Sequence, residues 1–327
     1  MNEPHVIAVD LGGTNIRVAV ISESGKMEHR TRMPTRASEG PDAVIARIGD
    51  LVNEVVREAR LEPEVPVGVA SPGPLNPRTG VVHYTPNLPG WRDVPLVAKL
   101  TAIVNRPVTL ANDGNCGALG EAQFGSAKGV RNLVYLALGT GIGGGIISEG
   151  ILIDGKNGLG AEVGHTVVAL DGPRCTCGSI GCLESFTSGW AIQAEAEHIA
   201  TTADGDLMRK MAGEGPIHAG IVAEAARQGD PAAKSLLDRA GRALGAAMGS
   251  FTNMFDPEMI VIGGGVATLG ELLMGPAKQA MPSYCFVDMR RDVTIAYSAL
   301  GGDTGIYGAA ALAFTVFGDY RSAVSPV

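Results

Sequence analysis

The stretch Val6-Ile-Ala-Val-Asp10-Leu-Gly12-Gly13-Thr14-Asn15-Ile16 joins two short apolar runs through a turn rich in glycine. Apolar runs on both sides of such a turn predict a β-hairpin. The same plan recurs where residues 133–138 lead through Gly139-Thr140-Gly141 into a second apolar run. The two stretches therefore indicate a weak internal duplication.

Strand and helix patterns alternate along the rest of the chain. Further strands are predicted at residues 67–70, 108–110, 259–262 and 293–296, and helices at residues 42–60, 114–123, 186–200, 217–228, 231–255, 270–280 and 308–317. This alternation predicts an α/β architecture with mostly buried central strands. The length of 327 residues slightly favours two domains over one.

Composition excludes several classes of function. Lys and Arg number 26 against 34 Asp and Glu, and the formal net charge of −8 disfavours nonspecific binding to nucleic acid or an anionic membrane. The first residues contain no basic segment followed by a long apolar one, so we expect neither a signal peptide nor a membrane anchor. An odd number of clustered cysteines fits reduced, metal-binding thiols, and we expect a cytoplasmic protein.

The two glycine turns are suited to bind phosphate. Their backbone N–H groups are not screened by Cβ atoms, and Thr14 and Thr140 each add a hydroxyl donor. Neither turn matches a P-loop or a dinucleotide fingerprint. Asp10, at the end of the first strand, either orients Mg²⁺ through water or caps the turn.

Asn112 and Asp113 follow a predicted strand and precede a predicted helix. Helix capping accounts for one of these two residues but less well for both. An Asp at a helix N-terminus stays ionised and can accept a proton from a hydroxyl group. Asp113 is therefore a candidate general base.

A His and three Cys lie in one short run, namely His165, Cys175, Cys177 and Cys182. Thiolate and imidazole groups satisfy tetrahedral Zn²⁺, and glycines between the cysteines permit tight turns. The alternative is a set of buried free thiols. Cys116 and Cys285 remain unassigned.

Taken as a set, the motifs resemble those of the ROK family of sugar kinases and repressors. The resemblance rests on Asp10 to Asn15, Ala70 to Pro74, Pro86 to Trp91, Asn112-Asp113, Leu138 to Gly145, Glu162 to His165 and Cys175 to Glu184. It implies an actin-like, ribonuclease H-like fold of two α/β domains facing a cleft. It also implies a small domain of residues 1–112 and about 301–327, and a large domain of residues 113–300 with a zinc knuckle.

The resemblance assigns roles residue by residue. Asp113 would remove the proton from the sugar 6-hydroxyl. The sugar would be bound by Gly73, Asn87, Asn112, Asp113, Glu162, His165 and Glu184. ATP would be bound by Asp10, Gly12, Gly13, Thr14, Asn15, Thr140, Gly141, Gly264 and Gly265, and structural Zn²⁺ by His165, Cys175, Cys177 and Cys182. His165 either ligates zinc alone or also contacts the sugar.

The implied activity is phosphorylation of glucose by Mg·ATP, because the pattern is most similar to bacterial glucokinases. Kinases for N-acetylmannosamine, N-acetylglucosamine or fructose are alternatives, as is a non-catalytic sugar-sensing regulator. Polyphosphate is an alternative donor. We expect a homodimer or homotetramer that binds a small sugar and a nucleotide, with neither a nucleic acid nor a membrane as partner.

Overall fold

The computed structural model describes residues 3–85, 87–286 and 293–318. Pro86, from the loop named above, and residues 319–327, from the predicted small domain, lie outside the described residues. The chain packs as two compact units. The first unit is formed by the described residues of the ranges 1–131, 145–161 and 298–327, and the second by those of the ranges 132–144 and 162–297. The domain boundaries drawn from the sequence stay a prediction.

The described residues form the following elements. The strands are β1 (His5–Leu11), β2 (Asn15–Ser22), β3 (Met27–Pro34), β4 (Val67–Ser71), β5 (Leu75–Asn76), β6 (Val81–Tyr84), β7 (Arg92–Val94), β8 (Val108–Asn112), β9 (Leu133–Leu138), β10 (Ile142–Ser148), β11 (Ile151–Leu152), β12 (Met259–Gly263) and β13 (Thr294–Tyr297). The helices are α1 (Pro41–Ala59), α2 (Leu96–Val104), α3 (Asp113–Phe124), α4 (Glu184–Thr187), α5 (Gly189–Ile199), α6 (Asp206–Ala212), α7 (Ala219–Arg227), α8 (Pro231–Phe255), α9 (Glu271–Ala280) and α10 (Thr304–Phe317).

The sheet of the first unit has the strand order β3-β2-β1-β4-β8. Strands β1 and β2 pair antiparallel, which confirms the predicted hairpin, whereas β1, β4 and β8 are parallel. Strand β3 was not predicted because its residues are mostly polar and partly exposed, as is usual for the edge of a sheet.

The two faces of this sheet are covered in different ways. Ile7 and Val9 of β1 are buried in one apolar core with α1 and α2. On the face opposite, small residues let α10 approach closely. A Cβ atom on Gly68 of β4 would lie only 2.0 Å from the carbonyl oxygen of Ala309. Any larger residue at Gly68 would therefore push α10 away from the sheet.

A second five-stranded sheet has the order β11-β10-β9-β12-β13. Strands β9, β12 and β13 are parallel, so the carboxyl ends of β9 and β12 lie side by side. Both ends lead directly into glycine-rich loops. The longest helix, α8, begins at Pro231 as predicted, and the Asp230 side chain caps it by accepting the N–H of Ala233 over 2.8 Å.

In a small sheet of β5, β6 and β7, the loop that contains Asn87 connects β6 to β7. These strands and the helices α2 and α6 were not predicted, because segments this short carry little periodicity. The helix predicted at residues 186–200 is divided at Ser188 into the end of α4 and the whole of α5. Among the helices of the described residues, none is both long enough and apolar enough to cross a membrane.

Candidate active site

The first glycine turn connects β1 to β2 in the first unit. The N–H of Gly12 donates to the carbonyl of Asn15 over 3.0 Å and closes the turn. Thr35, which follows β3, donates its hydroxyl to the Gly12 carbonyl over 2.6 Å and its N–H to the Thr14 carbonyl over 2.8 Å. Because two loop carbonyls are bonded to Thr35, and the Thr14 side chain is exposed, the turn is suited to bind an anion.

Asp10 lies at the carboxyl end of β1, opposite Arg17 in the hairpin. Arg17 Nε donates to Asp10 Oδ2 over 2.8 Å, and the same guanidinium lies 3.6 Å from Asp303. Gly305 of α10 packs on this carboxylate, since a Cβ there would lie 2.6 Å from Oδ1. Burial raises the pKa of Asp10, and Arg17 opposes that rise. The carboxylate is therefore fixed from both β2 and α10.

Asn112 ends β8, and Asp113 begins α3. The Oδ1 atoms of both side chains accept the N–H of Gly114 over 2.8 Å, and Asn112 is the N-cap residue. Asp113 is exposed, whereas Asn112 is half-buried. The N–H groups and dipole of the first helical turn favour an ionised carboxylate at Asp113. This geometry suits a group that accepts a proton from a bound hydroxyl.

Two loops of the first unit contact these residues. A Cβ on Gly73 would lie 3.0 Å from Nδ2 of Asn112. A Cβ on Gly13 would lie 3.0 Å from Cβ of Asn87. The structure thus brings the Gly73 loop against Asn112, and exposed Asn87 against the first glycine turn.

The second glycine turn connects β9 to β10 and rests on the start of α5. The N–H of Gly189 donates to the Gly139 carbonyl over 2.8 Å, and that of Trp190 donates to the Thr140 carbonyl over 3.2 Å. Within the turn, the N–H of Gly139 donates to the carbonyl of Gly141 over 2.9 Å. The Thr140 side chain is exposed. This turn therefore resembles the first in having its carbonyls bonded to protein groups.

Gly264 and Gly265 follow β12, the parallel neighbour of β9. The φ angle of Gly264 is 89°, and a Cβ there would lie 2.3 Å from the carbonyl oxygen of Leu138. Both the backbone angle and the close approach require glycine. Gly264 consequently lies against the end of the strand that leads into the second glycine turn.

His165, Cys175, Cys177 and Cys182 come together in the second unit, and their ligand atoms all lie within 4.8 Å of one another. Cys175 Sγ is 3.8 Å from His165 Nδ1, and Cys177 Sγ is 3.8 Å from Cys182 Sγ. Two thiolates bound to one tetrahedral Zn²⁺ at about 2.3 Å would be separated by about 3.8 Å. The donor types and their spacing therefore fit a zinc ion.

The backbone between the cysteines turns at glycine. The φ angles are 96° at Gly178 and 74° at Gly181, which confirms the predicted tight turns. A Cβ on Gly181 would lie 1.7 Å from the carbonyl oxygen of Ala169. A side chain at that position would push Cys182 away from the other three donors.

The three thiols differ in their ease of ionisation. Burial raises the pKa of Cys182 to about 12 and also raises that of Cys175. A hydrogen bond from the backbone N–H of Ser179 lowers the pKa of exposed Cys177. Two of the three thiolates are therefore costly without a cation, and a bound Zn²⁺ would supply the compensating charge.

Glu162 immediately precedes the short 3₁₀ turn Val163–His165, and His165 is the last residue of that turn. The N–H of His165 donates to the Glu162 carbonyl over 3.0 Å. Partial burial raises the pKa of the Glu162 carboxyl, the neighbouring Glu184 adds to this rise, and His165 opposes it. The second unit thus holds two carboxylates beside the candidate metal-binding residues.

Glu184 connects the cysteine loop to the second glycine turn. The side chain is buried, and Oε2 accepts the N–H of Ile142 over 2.8 Å. A Cβ on Gly141 would lie 2.6 Å from the same oxygen. The other oxygen, Oε1, accepts from Thr176 Oγ1 and Trp190 Nε1, each over 3.4 Å. Glu184 therefore orients the turn and also lies beside the candidate metal-binding residues.

The residues predicted from the sequence fall into two groups. The first unit holds Asp10, Gly12, Gly13, Thr14, Asn15, Gly73, Asn87, Asn112 and Asp113, and the second holds Thr140, Gly141, Glu162, His165, Cys175, Cys177, Cys182, Glu184, Gly264 and Gly265. Arg17 was not predicted as a site residue. The hairpin offered a signal for it, because residues 10 and 17 are equally far from the centre of the turn and therefore pair across the two strands. Nothing in the sequence pointed to Trp190.

Comparison with known proteins identifies relatives along nearly the whole chain. Residues 6–316 match the ROK family. A glucokinase of Thermotoga maritima is 38% identical over 94% of this chain and 96% of its own length. An N-acetylmannosamine kinase of Escherichia fergusonii is 31% identical over 80% of this chain and 82% of its own length.

Two solved structures share the fold. A ROK hexokinase from Thermus thermophilus matches with a TM-score of 0.84 and 32% identity, covering 95% of this chain and 98% of that one. A ROK family glucokinase from Streptomyces griseus, in complex with glucose and AMPPNP, matches with a TM-score of 0.78 and 32% identity over 95% and 99%. These matches confirm the predicted α/β class and the actin-like, ribonuclease H-like fold of two domains. The chain belongs to the ROK family.

Proposed function

We propose that this ROK family member is a sugar kinase that transfers the γ-phosphoryl group of Mg·ATP to the 6-hydroxyl of glucose. The observation that carries the proposal is the exposed Asp113 carboxylate at the N-terminus of α3, beside Asn112 and the Gly73 loop. Relatives named glucokinases, and a structural neighbour bound to glucose and AMPPNP, support the choice of substrates.

Asp113 acts as the general base. It accepts the proton of the sugar 6-hydroxyl while that oxygen forms a bond to the γ-phosphorus and the bond from phosphorus to ADP breaks. The first turn of α3 holds the carboxylate ionised before the reaction. The products are glucose 6-phosphate and ADP, and the proton remains on Asp113 until product leaves.

The sugar hydroxyls are recognised by side-chain amides, carboxylates and an imidazole, together with the backbone of the Gly73 loop. We assign this role to Gly73, Asn87, Asn112, Asp113, Glu162, His165 and Glu184. Such groups discriminate strongly, because a sugar that lacks one hydroxyl leaves a desolvated polar group without a partner.

The two glycine turns and the loop after β12 bind the nucleotide. The assigned residues are Asp10, Gly12, Gly13, Thr14, Asn15, Thr140, Gly141, Gly264 and Gly265. Mg²⁺ bound with ATP neutralises charge on the phosphates. Asp10 is the carboxylate beside the first turn and would hold this ion through water.

Zn²⁺ bound by His165, Cys175, Cys177 and Cys182 has a structural role, since all four donors come from the protein. It would fix the loop from which Glu184 reaches the second glycine turn. We further propose that the protein works as a homodimer or homotetramer.

The direct test measures ADP release from Mg·ATP with glucose, mannose, fructose, N-acetylglucosamine, N-acetylmannosamine or no sugar. We expect release that depends on glucose and is much weaker with the acetylated sugars. The variant Asp113→Asn, purified in parallel, controls for contaminating kinases. Release with N-acetylmannosamine alone would favour the second candidate, which the Escherichia fergusonii relative supports. No release with any sugar would contradict the kinase assignment.

A further inference from the structure

Glu121 is a fully buried carboxylate in α3 with no role in the mechanism above. Among the described residues, no Lys, Arg or His forms an ion pair with it. Its charge is instead balanced by donors. Ser126 gives both its N–H and its hydroxyl to Oε2 over 2.9 Å each. The Ser298 hydroxyl donates to Oε1, and the N–H groups of Ala299 and Leu300 lie within 3.4 Å of the carboxylate.

These donors fall into two groups that differ in their distance from Glu121 along the chain. Ser126 forms the local arm, and residues 298–300 form the remote arm. Ser126 lies just beyond the end of α3, so its bonds to Glu121 are local. Residues 298–300 arrive from more than 170 residues later in the chain and lead directly into α10. The remote arm therefore ties α3 to the segment that positions the start of α10.

Helices α3 and α10 contact each other through their backbones. A Cβ on Gly308 of α10 would lie 2.2 Å from the carbonyl oxygen of Cys116. A Cβ on Gly120 would lie 2.9 Å from the backbone nitrogen of Gly308. Backbone contacts this close leave little room to slide or rotate, so the arm at Ser298 and the glycine contacts together set one register between the two helices.

Each of the two acidic groups of the proposed reaction site lies in, or packs against, the first turn of one of these two helices. Asp113 begins α3, and Gly305 in the first turn of α10 packs on the Asp10 carboxylate. Asp303 and the Gly302 carbonyl, immediately before α10, both contact Arg17. Moreover, the pKa of buried Cys116 is raised by burial and further by the charges of Asp113 and Asp10, so both carboxylates act on one thiol.

We propose that Glu121 is a positioning residue for phosphoryl transfer, which holds α3 and the start of α10 in register and so fixes Asp113 relative to Asp10. This inference rests on the proposed function. A carboxylate suits the task because it offers two acceptor oxygens and no donor, whereas an amide at this position would turn N–H groups toward the donors of one arm. A displacement of about 1 Å at a reacting group can lower a rate by about 100-fold.

The test compares two serines that bond to the same carboxylate. Ser298→Ala removes the hydroxyl bond of the remote arm, and Ser126→Ala removes a hydroxyl bond of the local arm. We expect Ser298→Ala to lower kcat by about tenfold, while the glucose Kd measured by calorimetry stays within about twofold. We expect Ser126→Ala to keep kcat within about twofold although it loses a similar bond. Ser298→Thr, which keeps the hydroxyl, should restore kcat.

Glu121→Gln should resemble Ser298→Ala in kcat if it folds, and the two serine variants keep the test valid if it does not. Equal kcat values for Ser298→Ala and Ser126→Ala, with an active wild type, would overturn the positioning role and leave the proposed function intact. A parallel loss of glucose binding in Ser298→Ala would show a general structural role and would also overturn it. A wild type that is inactive with every sugar would instead refute the proposed function, and the positioning role with it.

Discussion

The candidate metal-binding residues of the second unit and the acidic framework of the first unit, formed by Asp10, Asp113 and Glu121, are assembled in opposite ways. His165, Cys175, Cys177 and Cys182 lie within one short run of sequence, and local turns bring them together. Asp10 and Glu121 instead contact residues of the segment 298–305, which comes from a distant part of the chain. The helix α3, which begins at Asp113, packs on Gly308 of the same part of the chain. A local site can be identified from spacing, whereas a non-local one depends on how whole helices pack.

The two regions should also respond differently to single substitutions. Four donors on one ion would form a cooperative unit, because the loss of one donor lowers the affinity of the whole site for the ion and with it the stability of the fold. The framework of the first unit distributes its constraints over hydrogen bonds, ion pairs and close backbone contacts. We therefore expect single changes in the framework to alter turnover more than folding, except where glycine is replaced.

The largest effect is expected for Asp113→Asn in the framework. The amide keeps the size of the side chain but cannot accept the proton, so kcat should fall by about 10²–10⁴-fold while glucose affinity changes only a few-fold. Steady-state kinetics and calorimetry measure the two quantities. Asp230→Asn is the matched control, because Asn also caps a helix and Asp230 caps α8 outside the site. Retained turnover in Asp113→Asn would exclude it as the base.

The next effect tests the local site. Cys182→Ala should abolish stoichiometric zinc and lower the free energy of unfolding by more than about 4 kcal/mol, as loss of a structural metal does. Metal analysis and denaturant unfolding are the measurements. Cys285→Ala removes another buried thiol outside the cluster and should cost only about 1 kcal/mol. Equal unfolding costs for the two variants would contradict a structural metal.

A smaller effect is expected where the cysteine loop meets the second glycine turn. Glu184→Gln keeps an acceptor for the Ile142 N–H but loses the charge, so we expect KM for ATP and KM for glucose each to rise by about tenfold. Trp190→Phe removes only the 3.4 Å indole contact to Glu184 and should change either KM by less than about twofold. A rise in the glucose KM alone would show that Glu184 does not orient the turn.

The smallest expected effect concerns the charge on Asp10. Burial raises the pKa of Asp10 in the folded protein above its value in the unfolded chain, so the fold disfavours the ionised form. The protonated carboxyl therefore contributes to the free energy of unfolding at low pH, and this contribution is lost as pH rises through the folded pKa. Asp10→Asn does not ionise, so its unfolding free energy relative to wild type should increase from pH 4 to pH 7. Denaturant titrations at both pH values test this. A relative decrease would mean that the Arg17 ion pair outweighs desolvation.

Much of the fold and part of the site could be predicted from the sequence. The hairpin around Gly12, the long helix from Pro231 and the cysteine loop all carry local signals of periodicity, capping or spacing. The partnership of Glu121 with Ser298 could not be predicted, because a buried Glu inside a helix gives no signal of a partner so distant in the chain. The bond between Glu184 and the N–H of Ile142 was missed for the same reason.

The tight contact between Gly68 and Ala309 has a consequence for synthesis on the ribosome. Strands β1 and β4 emerge early, but α10, which covers one face of their sheet, comes about 240 residues after Gly68. At about 5–20 residues per second, that face waits roughly 12–50 s for its cover. During that interval the nascent first unit exposes one face of its sheet, which can associate with other exposed apolar surfaces. A chaperone that covers this face would reduce such aggregation.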